Sequence, residues 1–302
     1  MGKKTAFLLA AIMTVTTAAK AQLLYRISGN GLERPSYIVG TLHIAPAQFA
    51  NNITGIDEAI NATEQVYGEV NADSMAMKGV QQRVEAATAI PNGKTLRNVL
   101  NATQYNKVNA TLAELLGADL QNQKVRAEMS RTAPATLAQK IALLMYLQTH
   151  MGEFDPVNTI DGFFQQVAKE NNEPVGGLET IDFQIELLRD SDMSRQVELL
   201  MCTIDNRQFV IDCMQNAIEA YYSQDIEGVK AAIDERLGNS CDSTPAEEAR
   251  LIYDRNAAWC AVMPAIMAAK PTLFAVGVGH LPGDKGVLAL LQAAGYTVEA
   301  VK

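Results

Sequence analysis

The stretch Thr272-Leu-Phe-Ala-Val-Gly277-Val-Gly-His280-Leu-Pro-Gly283 decides how this 302-residue sequence is understood. An apolar run ends in glycine, and a histidine follows three residues later. The run is typical of a buried strand, and Pro282 stops regular structure just beyond the histidine. The sequence therefore predicts a strand that places His280 in a loop at its carboxyl end.

The same frame recurs near the other end of the chain, in Ser36-Tyr-Ile-Val-Gly40-Thr-Leu-His43-Ile-Ala-Pro46. The sequence has three histidines, and two of them stand in this Gly-x-x-His frame. Glycine lets a strand end turn sharply, and open α/β sheets bind ligands at the carboxyl ends of their parallel strands. We therefore predict that His43 and His280 share one crevice. The plainer alternative is that each is a loop histidine bonded to backbone.

Strand patterns cluster at both ends of the sequence, and helical periodicity fills the middle from about residue 74 to 250. A helical pattern between two early strands gives the order of a parallel β-α-β unit. The fold class predicted is α/β, with a central sheet built from the N- and C-terminal segments and a large helical insertion. The strand candidates are Leu23–Ile27, Tyr37–Val39, Gln65–Val70, a short strand near Val175, Thr272–Val276 and Tyr296–Val301.

Three charged residues are further candidates for the crevice. Glu69 ends an otherwise neutral strand, where a buried carboxylate needs a partner or a metal, although an exposed strand end would explain it equally. Thr244-Pro-Ala-Glu247 is a capping box that starts a helix with Ile252, Arg255, Trp259 and Val262 on one apolar stripe. The Arg255 guanidinium on that stripe needs a substrate anion or, as the plainer alternative, a buried acid in a structural ion pair. Glu179 follows a strand-to-helix junction and can act as a ligand, a base or a partner of the helix dipole. His150 lacks the frame and reads as a surface histidine.

The N-terminus has the features of a secretory signal peptide over residues 1–21. Lys3 and Lys4 precede an apolar run, and Ala19-Lys20-Ala21 is a cleavage pattern before Gln22. The apolar run is short for a membrane span, and no later stretch is long enough for one. The net charge of −9 argues against nucleic acid as a partner. We expect a periplasmic or secreted protein that acts on a peptide or a small molecule.

Four cysteines occur, all in the second half of the chain: Cys202, Cys213, Cys241 and Cys260. An even number in an exported chain indicates disulfides, which would tie the helical region together. Three pairings are possible, and the spacing does not choose among them. The absence of a C-x-x-C pattern speaks against a redox or zinc-ribbon site.

Six short motifs lie along nearly the whole chain: Leu24–Gly31, Pro35–His43, Tyr67–Glu69, Pro174–Thr180, Asp254–Asn256 and Gly277–Gly283. Taken together, they resemble the TraB/GumN family, which includes the Tiki proteins that inactivate Wnt ligands. The resemblance implies an α/β fold similar to the erythromycin-esterase and ChaN-like group, over residues 22–302. The family is characterised by two Gly-x-x-His motifs, a glutamate and an arginine.

Carried over residue by residue, the family pattern falls on His43, His280, Glu69 and Arg255. Because Tiki proteins are regarded as metal-dependent proteases, the resemblance implies a hydrolase that uses a divalent cation such as Mn, Co or Zn. His43, His280 and Glu69 would hold the ion. Glu69 or Glu179 would accept the proton, and Arg255 would stabilise the oxyanion.

Two other functions fit the same crevice. In the first, the protein binds a small molecule, a peptide or a metal without turnover, and the histidines are ligand contacts. In the second, hydrolysis proceeds without metal and a histidine is the base, as the erythromycin-esterase-like resemblance implies. The sequence leaves the substrate and the oligomeric state open.

Overall fold

A computed structural model describes residues 22–148, 150, 158–189 and 191–302. The proposed signal peptide lies outside these residues. Within the described part of the chain, six strands form one sheet in the order β4-β3-β5-β2-β1-β6. The strands are β1 (Leu24–Ser28), β2 (Ser36–Thr41), β3 (Gln65–Gly68), β4 (Val175–Gly177), β5 (Thr272–Gly277) and β6 (Thr297–Ala300).

The sheet has a parallel half and an antiparallel half. β4, β3, β5 and β2 run parallel, and β1 lies antiparallel between β2 and β6. The four parallel strands therefore end at one edge, which we call the carboxyl edge. The hairpin of β1 and β2 and the sheet built from both termini confirm the predicted α/β fold.

Helices supply most of the remaining described structure. A 3-10 helix, Ala47–Asn52, and α1 connect β2 to β3. Seven further α-helices separate β3 from β4. The helices up to β4 are α1 (Ile56–Ala62), α2 (Ala72–Met75), α3 (Val80–Ala87), α4 (Leu96–Val99), α5 (Ala102–Leu116), α6 (Gln123–Met129), α7 (Pro134–Leu147) and α8 (Ile160–Glu170).

A second helical series follows β4 and ends in the last strand. Its final helix, α15, lies between β5 and β6. The helices are α9 (Ile181–Leu187), α10 (Met193–Asp205), α11 (Arg207–Tyr222), α12 (Ile226–Ile233), α13 (Pro245–Glu248), α14 (Asp254–Ala269) and α15 (Val287–Ala293). Within the described residues, no helix is both long and apolar enough to cross a bilayer.

The described residues form two large hydrophobic cores and a small third cluster around Val80 and Ile181, and the second large core explains the helical insertion. The first packs the sheet against flanking helices and includes Phe164 of α8, Tyr221 of α11 and Trp259 of α14. The second joins helices of the insertion to each other, with Leu112 and Leu200 fully buried in it. The insertion thus has its own packed interior. In the middle of the insertion, α8 and β4 return to the sheet, where β4 is the edge strand.

The helix that follows the predicted capping box buries a different face from the one that the sequence predicts. Thr244 and Glu247 cap each other at the start of α13, as the sequence indicates. A π-helical turn, Ala249–Tyr253, then joins α13 to α14. Within α14 the buried face recurs every fourth residue, at Arg255, Trp259, Met263 and Met267, so Val262, three residues after Trp259, is 43% exposed. The prediction that Val262 faces inward was wrong.

One disulfide, rather than two, ties the described helical region. Cys202 of α10 bonds to Cys241 in the loop before α13. Cys213 and Cys260 are free thiols. They lie on different helices: Cys213 beside Glu235 and Cys260 on α14 against the first core. The even count of cysteines therefore overstates the number of bridges.

Candidate functional site

Each of the four parallel strands places one predicted site residue at the carboxyl edge. His43 follows β2, Glu69 follows β3, Glu179 follows β4 and His280 follows β5. The strand order puts the loops side by side, and Thr41 at the end of β2 pairs with Gly277 at the end of β5. The convergence that the sequence predicts is a consequence of parallel register.

The two glycines of the repeated frame allow a close approach of neighbouring groups. A side chain on Gly40 would meet Leu281 and Val278 of the other frame at 3.0 Å. A side chain on Gly277 would meet the Glu69 carboxylate at 3.1 Å. The frames therefore pack directly on each other, and glycine is required for this contact rather than for a left-handed backbone.

Glu69 is an ionised carboxylate held by backbone and side-chain donors. The N–H of Gly277 donates to its Oε1 at 2.8 Å, and Nη2 of Arg255 donates to its Oε2 at 2.5 Å. Burial would raise the pKa of Glu69, but His280, Arg255 and the Gly277 N–H outweigh burial and hold the pKa below its usual value. Its Oε1 lies 3.9 Å from Nε2 of His280.

Arg255 is the buried cation that links the two carboxylates. Its guanidinium donates to Glu179 through Nε at 3.0 Å and Nη2 at 2.7 Å, and Nη1 donates to the carbonyl oxygen of Leu251. Trp259 Nε1 and Gln184 Nε2 also donate to Glu179. Four donors thus occupy the Glu179 carboxylate, which anchors Arg255 against Glu69.

His280 is buried between polar and aromatic neighbours. Its ring lies 4.4 Å from the Trp259 ring, between centroids. Its Nδ1 is 2.6 Å from Oδ1 of Asn256, and its Nε2 is 3.1 Å from Nη1 of Arg255. Burial lowers the pKa of His280 to about 4, so the ring is neutral near pH 7.

His43 stands beside this cluster and has a different partner. Its Nδ1 is 3.0 Å from Oδ2 of Asp161, in the first turn of α8, and Thr41 Oγ1 donates to the other oxygen of Asp161 at 2.6 Å. The hydrogen bond to Asp161 raises the pKa of His43 to about 9. Thr41, two residues before His43, pairs with Gly277 of β5, so the His43 loop lies at the same edge as the His280 loop.

A comparison with protein families now bears on this arrangement. The model of the TraB/PrgY/gumN family matches residues 23–300, which include both Gly-x-x-His frames, Glu69 and Arg255. The chain belongs to the TraB/PrgY/gumN family. The resemblance drawn from the motifs is therefore confirmed over nearly the whole chain. Among proteins with curated descriptions, none matches this TraB/PrgY/gumN chain.

In this TraB/PrgY/gumN chain, four of the predicted residues form one hydrogen-bonded cluster: Glu69, Glu179, Arg255 and His280. His43 is next to the cluster but is held by Asp161. His150 lies elsewhere, stacked on Tyr146 at the end of α7. The structure thus brings four of the candidates into contact, pairs His43 with Asp161 instead, and sets His150 apart.

Sequence reasoning missed three polar residues that hold the site. Asp161 reads as an ordinary acid in a first helical turn, which favours the helix dipole without any ligand. Gln184 carries no signal at all. Asn256 does carry one, because it directly follows Arg255 within the Asp254–Asn256 motif, yet its side chain was given no role.

Proposed function

We propose that this TraB/PrgY/gumN protein is an exported hydrolase that cleaves a peptide or a similar acyl bond with the help of a divalent cation. One observation carries the proposal. A neutral imidazole nitrogen of His280 and an ionised oxygen of Glu69 face each other at 3.9 Å, next to a buried guanidinium. A base, a cation and open acceptor atoms at one sheet edge are what acyl hydrolysis needs.

The donor chemistry at the carboxyl edge fits a transition-metal ion. Both histidines bind a side-chain oxygen through Nδ1, His43 at Asp161 and His280 at Asn256, which leaves Nε2 as the ligand atom. This is the usual arrangement around metal-ligating histidines. His43, whose pKa is raised to about 9, would release its Nε2 proton on binding the ion. With Glu69 as the carboxylate, the set suits Mn, Co or Zn.

The set is not drawn together around one point. In the part of the chain that the structure describes, no three His, Cys, Asp or Glu side chains form a group that could hold one ion. Arg255 Nη1 contacts the same His280 nitrogen that an ion would use. Ion binding would therefore require Arg255 to leave Nε2 of His280 while Glu179 still holds the rest of its guanidinium.

Each residue of the cluster has a role in the proposed reaction. The bound cation would supply an activated water and polarise the scissile carbonyl. Glu69 is the better proton acceptor, because donors already occupy all four acceptor positions of Glu179. Arg255, held in place by Glu179, would stabilise the developing oxyanion.

A shallow surface cavity is a candidate substrate site, although no residue of the cluster lines it. It has a volume of about 400 Å³ and lies between α9 and the π-helical turn, with Phe183, Leu187 and Arg250 in its walls. Phe183 precedes Gln184, which contacts Glu69, and Arg250 precedes Leu251, which contacts Arg255. Apolar and charged walls together suit a peptide side chain more than a small inorganic ion.

A second candidate, hydrolysis without metal, has one observation in its favour. His280 is neutral at pH 7, and its Nε2 has no other partner among the described residues than the donor Arg255 and the nearby Glu69. Such a nitrogen can accept a proton from water once Arg255 Nη1 has left it.

Metal content and peptide cleavage by the exported protein test the proposal. The full-length chain is expressed with its own leader, its N-terminus is read by intact mass, and elemental analysis follows purification. Cleavage of a fluorogenic peptide library is then measured with chelator and with added Mn²⁺, Co²⁺ or Zn²⁺. His280→Ala is the test variant, and His150→Ala is the matched control outside the site.

The outcomes separate the candidates. Cleavage that needs a divalent cation, vanishes in His280→Ala and survives in His150→Ala supports the metal-dependent hydrolase. Cleavage that persists with chelator but vanishes in His280→Ala supports hydrolysis with histidine as base. Tight peptide binding without turnover under any of these metals would contradict hydrolysis and leave a binding protein.

A further inference from the structure

Asn256 is a polar side chain with no exposure to solvent, packed under the candidate site on α14. Buried amides need hydrogen-bond partners for both their oxygen and their nitrogen. The nitrogen of Asn256 donates to two backbone carbonyls, that of His280 at 3.2 Å and that of Lys285 at 2.9 Å. These contacts account for both N–H bonds of the amide.

The two carbonyls fix which way the amide points. Carbonyl oxygens only accept, so the Nδ2 of Asn256 must face them and its Oδ1 must face the His280 ring. That oxygen lies 2.6 Å from Nδ1 of His280. Because Oδ1 also only accepts, Nδ1 is the ring nitrogen that carries the hydrogen.

A second contact, on the opposite side of the ring, leads to the same tautomer. Arg255 Nη1 lies 3.1 Å from Nε2 of His280, and a guanidinium only donates. Nε2 must therefore present its lone pair. Two neighbours on opposite sides of the ring thus require hydrogen on Nδ1 and a lone pair on Nε2.

We propose that Asn256 is a positioning residue that holds His280 as the Nδ1–H tautomer, so that the Nε2 lone pair faces Arg255 and becomes available to the ligand of the site when Arg255 leaves it. What the lone pair then does rests on the proposed function, but the tautomer does not. An amide suits this task better than a carboxylate, because Glu69 and Glu179 already place two negative charges in the cluster.

Ring ¹⁵N NMR of the full chain reads the tautomer without substrate or metal. The three histidines of the sequence make assignment simple, with His43→Gln and His150→Gln spectra identifying the remaining ring. At pH 8, where a ring with a pKa near 4 is neutral, we expect His280 to show one pattern, with protonated Nδ1 and unprotonated Nε2. A wild-type spectrum with protonated Nε2 would overturn the proposal.

Two substitutions separate the acceptor from the packing. Asn256→Asp keeps an oxygen for Nδ1 and loses the donors to the two carbonyls, whereas Asn256→Leu keeps the volume and loses the acceptor. We expect the single Nδ1–H pattern in Asn256→Asp and exchange between tautomers in Asn256→Leu. Asn109→Leu is the control, since Asn109 also bonds a side chain and a backbone N–H, but in the helical region.

Binding of Zn²⁺ alone adds a functional readout. Losing such an orienting partner typically weakens metal affinity by about 10- to 100-fold, so we expect that loss in Asn256→Leu and a much smaller one in Asn256→Asp. Equal loss of the NMR pattern in both variants, with the fold verified by near-UV circular dichroism, would show that the amide is only structural. A protein that binds no Zn²⁺ but shows the predicted pattern would contradict the metal site and leave the assignment of Asn256 intact.

Discussion

The two Gly-x-x-His halves have the same local sequence frame but opposite surroundings. The His43 side chain is 78% exposed and binds the carboxylate of Asp161, whereas the His280 side chain is 5% exposed and binds the amide of Asn256. The pKa of His43 is raised to about 9, and that of His280 is lowered to about 4. A repeated motif therefore fixes where a histidine lies, and its neighbours decide its charge.

The largest loss of stability is expected when the charge of Arg255, which contacts His280, is removed. Arg255→Met leaves Glu69 and Glu179 without their buried cation, which should lower the free energy of unfolding by about 3–5 kcal/mol. Chemical denaturation measures the change. Arg34→Met is the matched control, because the Arg34–Glu64 pair is half exposed and should contribute at most about 1 kcal/mol. Equal losses in both variants would contradict a special role for burial.

The buried His280 should make the protein lose stability as the pH falls. Its folded pKa of about 4 lies below the unfolded value of 6.5, so its contribution is present above pH 6.5 and is lost as the pH falls toward 4. The shift corresponds to roughly 3 kcal/mol. The unfolding free energies of wild type and His280→Gln, measured by thermal and chemical unfolding, should therefore converge as the pH falls from 7 to 4. Curves that stay parallel over this range would disprove the buried neutral ring.

The hydrogen bond that orients Asp161 should have a smaller effect. Thr41 is buried and donates to Asp161, which in turn binds His43. Thr41→Val removes this donor with little change in shape, and we expect a loss of about 1 kcal/mol in unfolding free energy. A double-mutant cycle with Asp161→Asn measures the coupling. Fully additive losses would mean that Thr41 does not act through Asp161.

The exposed His43 should respond to pH in the opposite direction and most weakly. Its folded pKa of about 9 lies above 6.5, so its contribution is present below pH 6.5 and is lost as the pH rises through 9. Because the side chain is exposed and screened by salt, the effect should be about 1 kcal/mol or less. Comparing wild type with Asp161→Asn from pH 6 to 10 tests it. A difference that grows with pH would contradict the pairing.

Much of the site was predictable because parallel strands bring residues at their carboxyl ends together. His43, Glu69, Glu179 and His280 each follow a strand that period and composition identify. Arg255 was predictable for another reason, since a lone cation on an apolar helix stripe must meet an anion. That anion turned out to be both carboxylates rather than one.

The partners of these residues were not predictable from local pattern. Asp161 lies 118 residues from His43, and nothing in its own helix distinguishes it from a surface acid. Packing of α14 buries Met263 rather than Val262, and both positions are compatible with helical spacing after Trp259, so spacing alone misplaced Val262. The disulfide pairing likewise depends on the distance between Cys202 and Cys241, which the number of cysteines in the sequence does not give.

The sequence by itself determined the α/β fold, the family and the four strand ends that carry the site, because strand periodicity and the Gly-x-x-His frame are local properties. Only the tertiary structure decided that His280 is buried beside Asn256 and that His43 is exposed beside Asp161. Burial and long-range hydrogen bonds set protonation, and both arise from contacts between segments far apart in the chain.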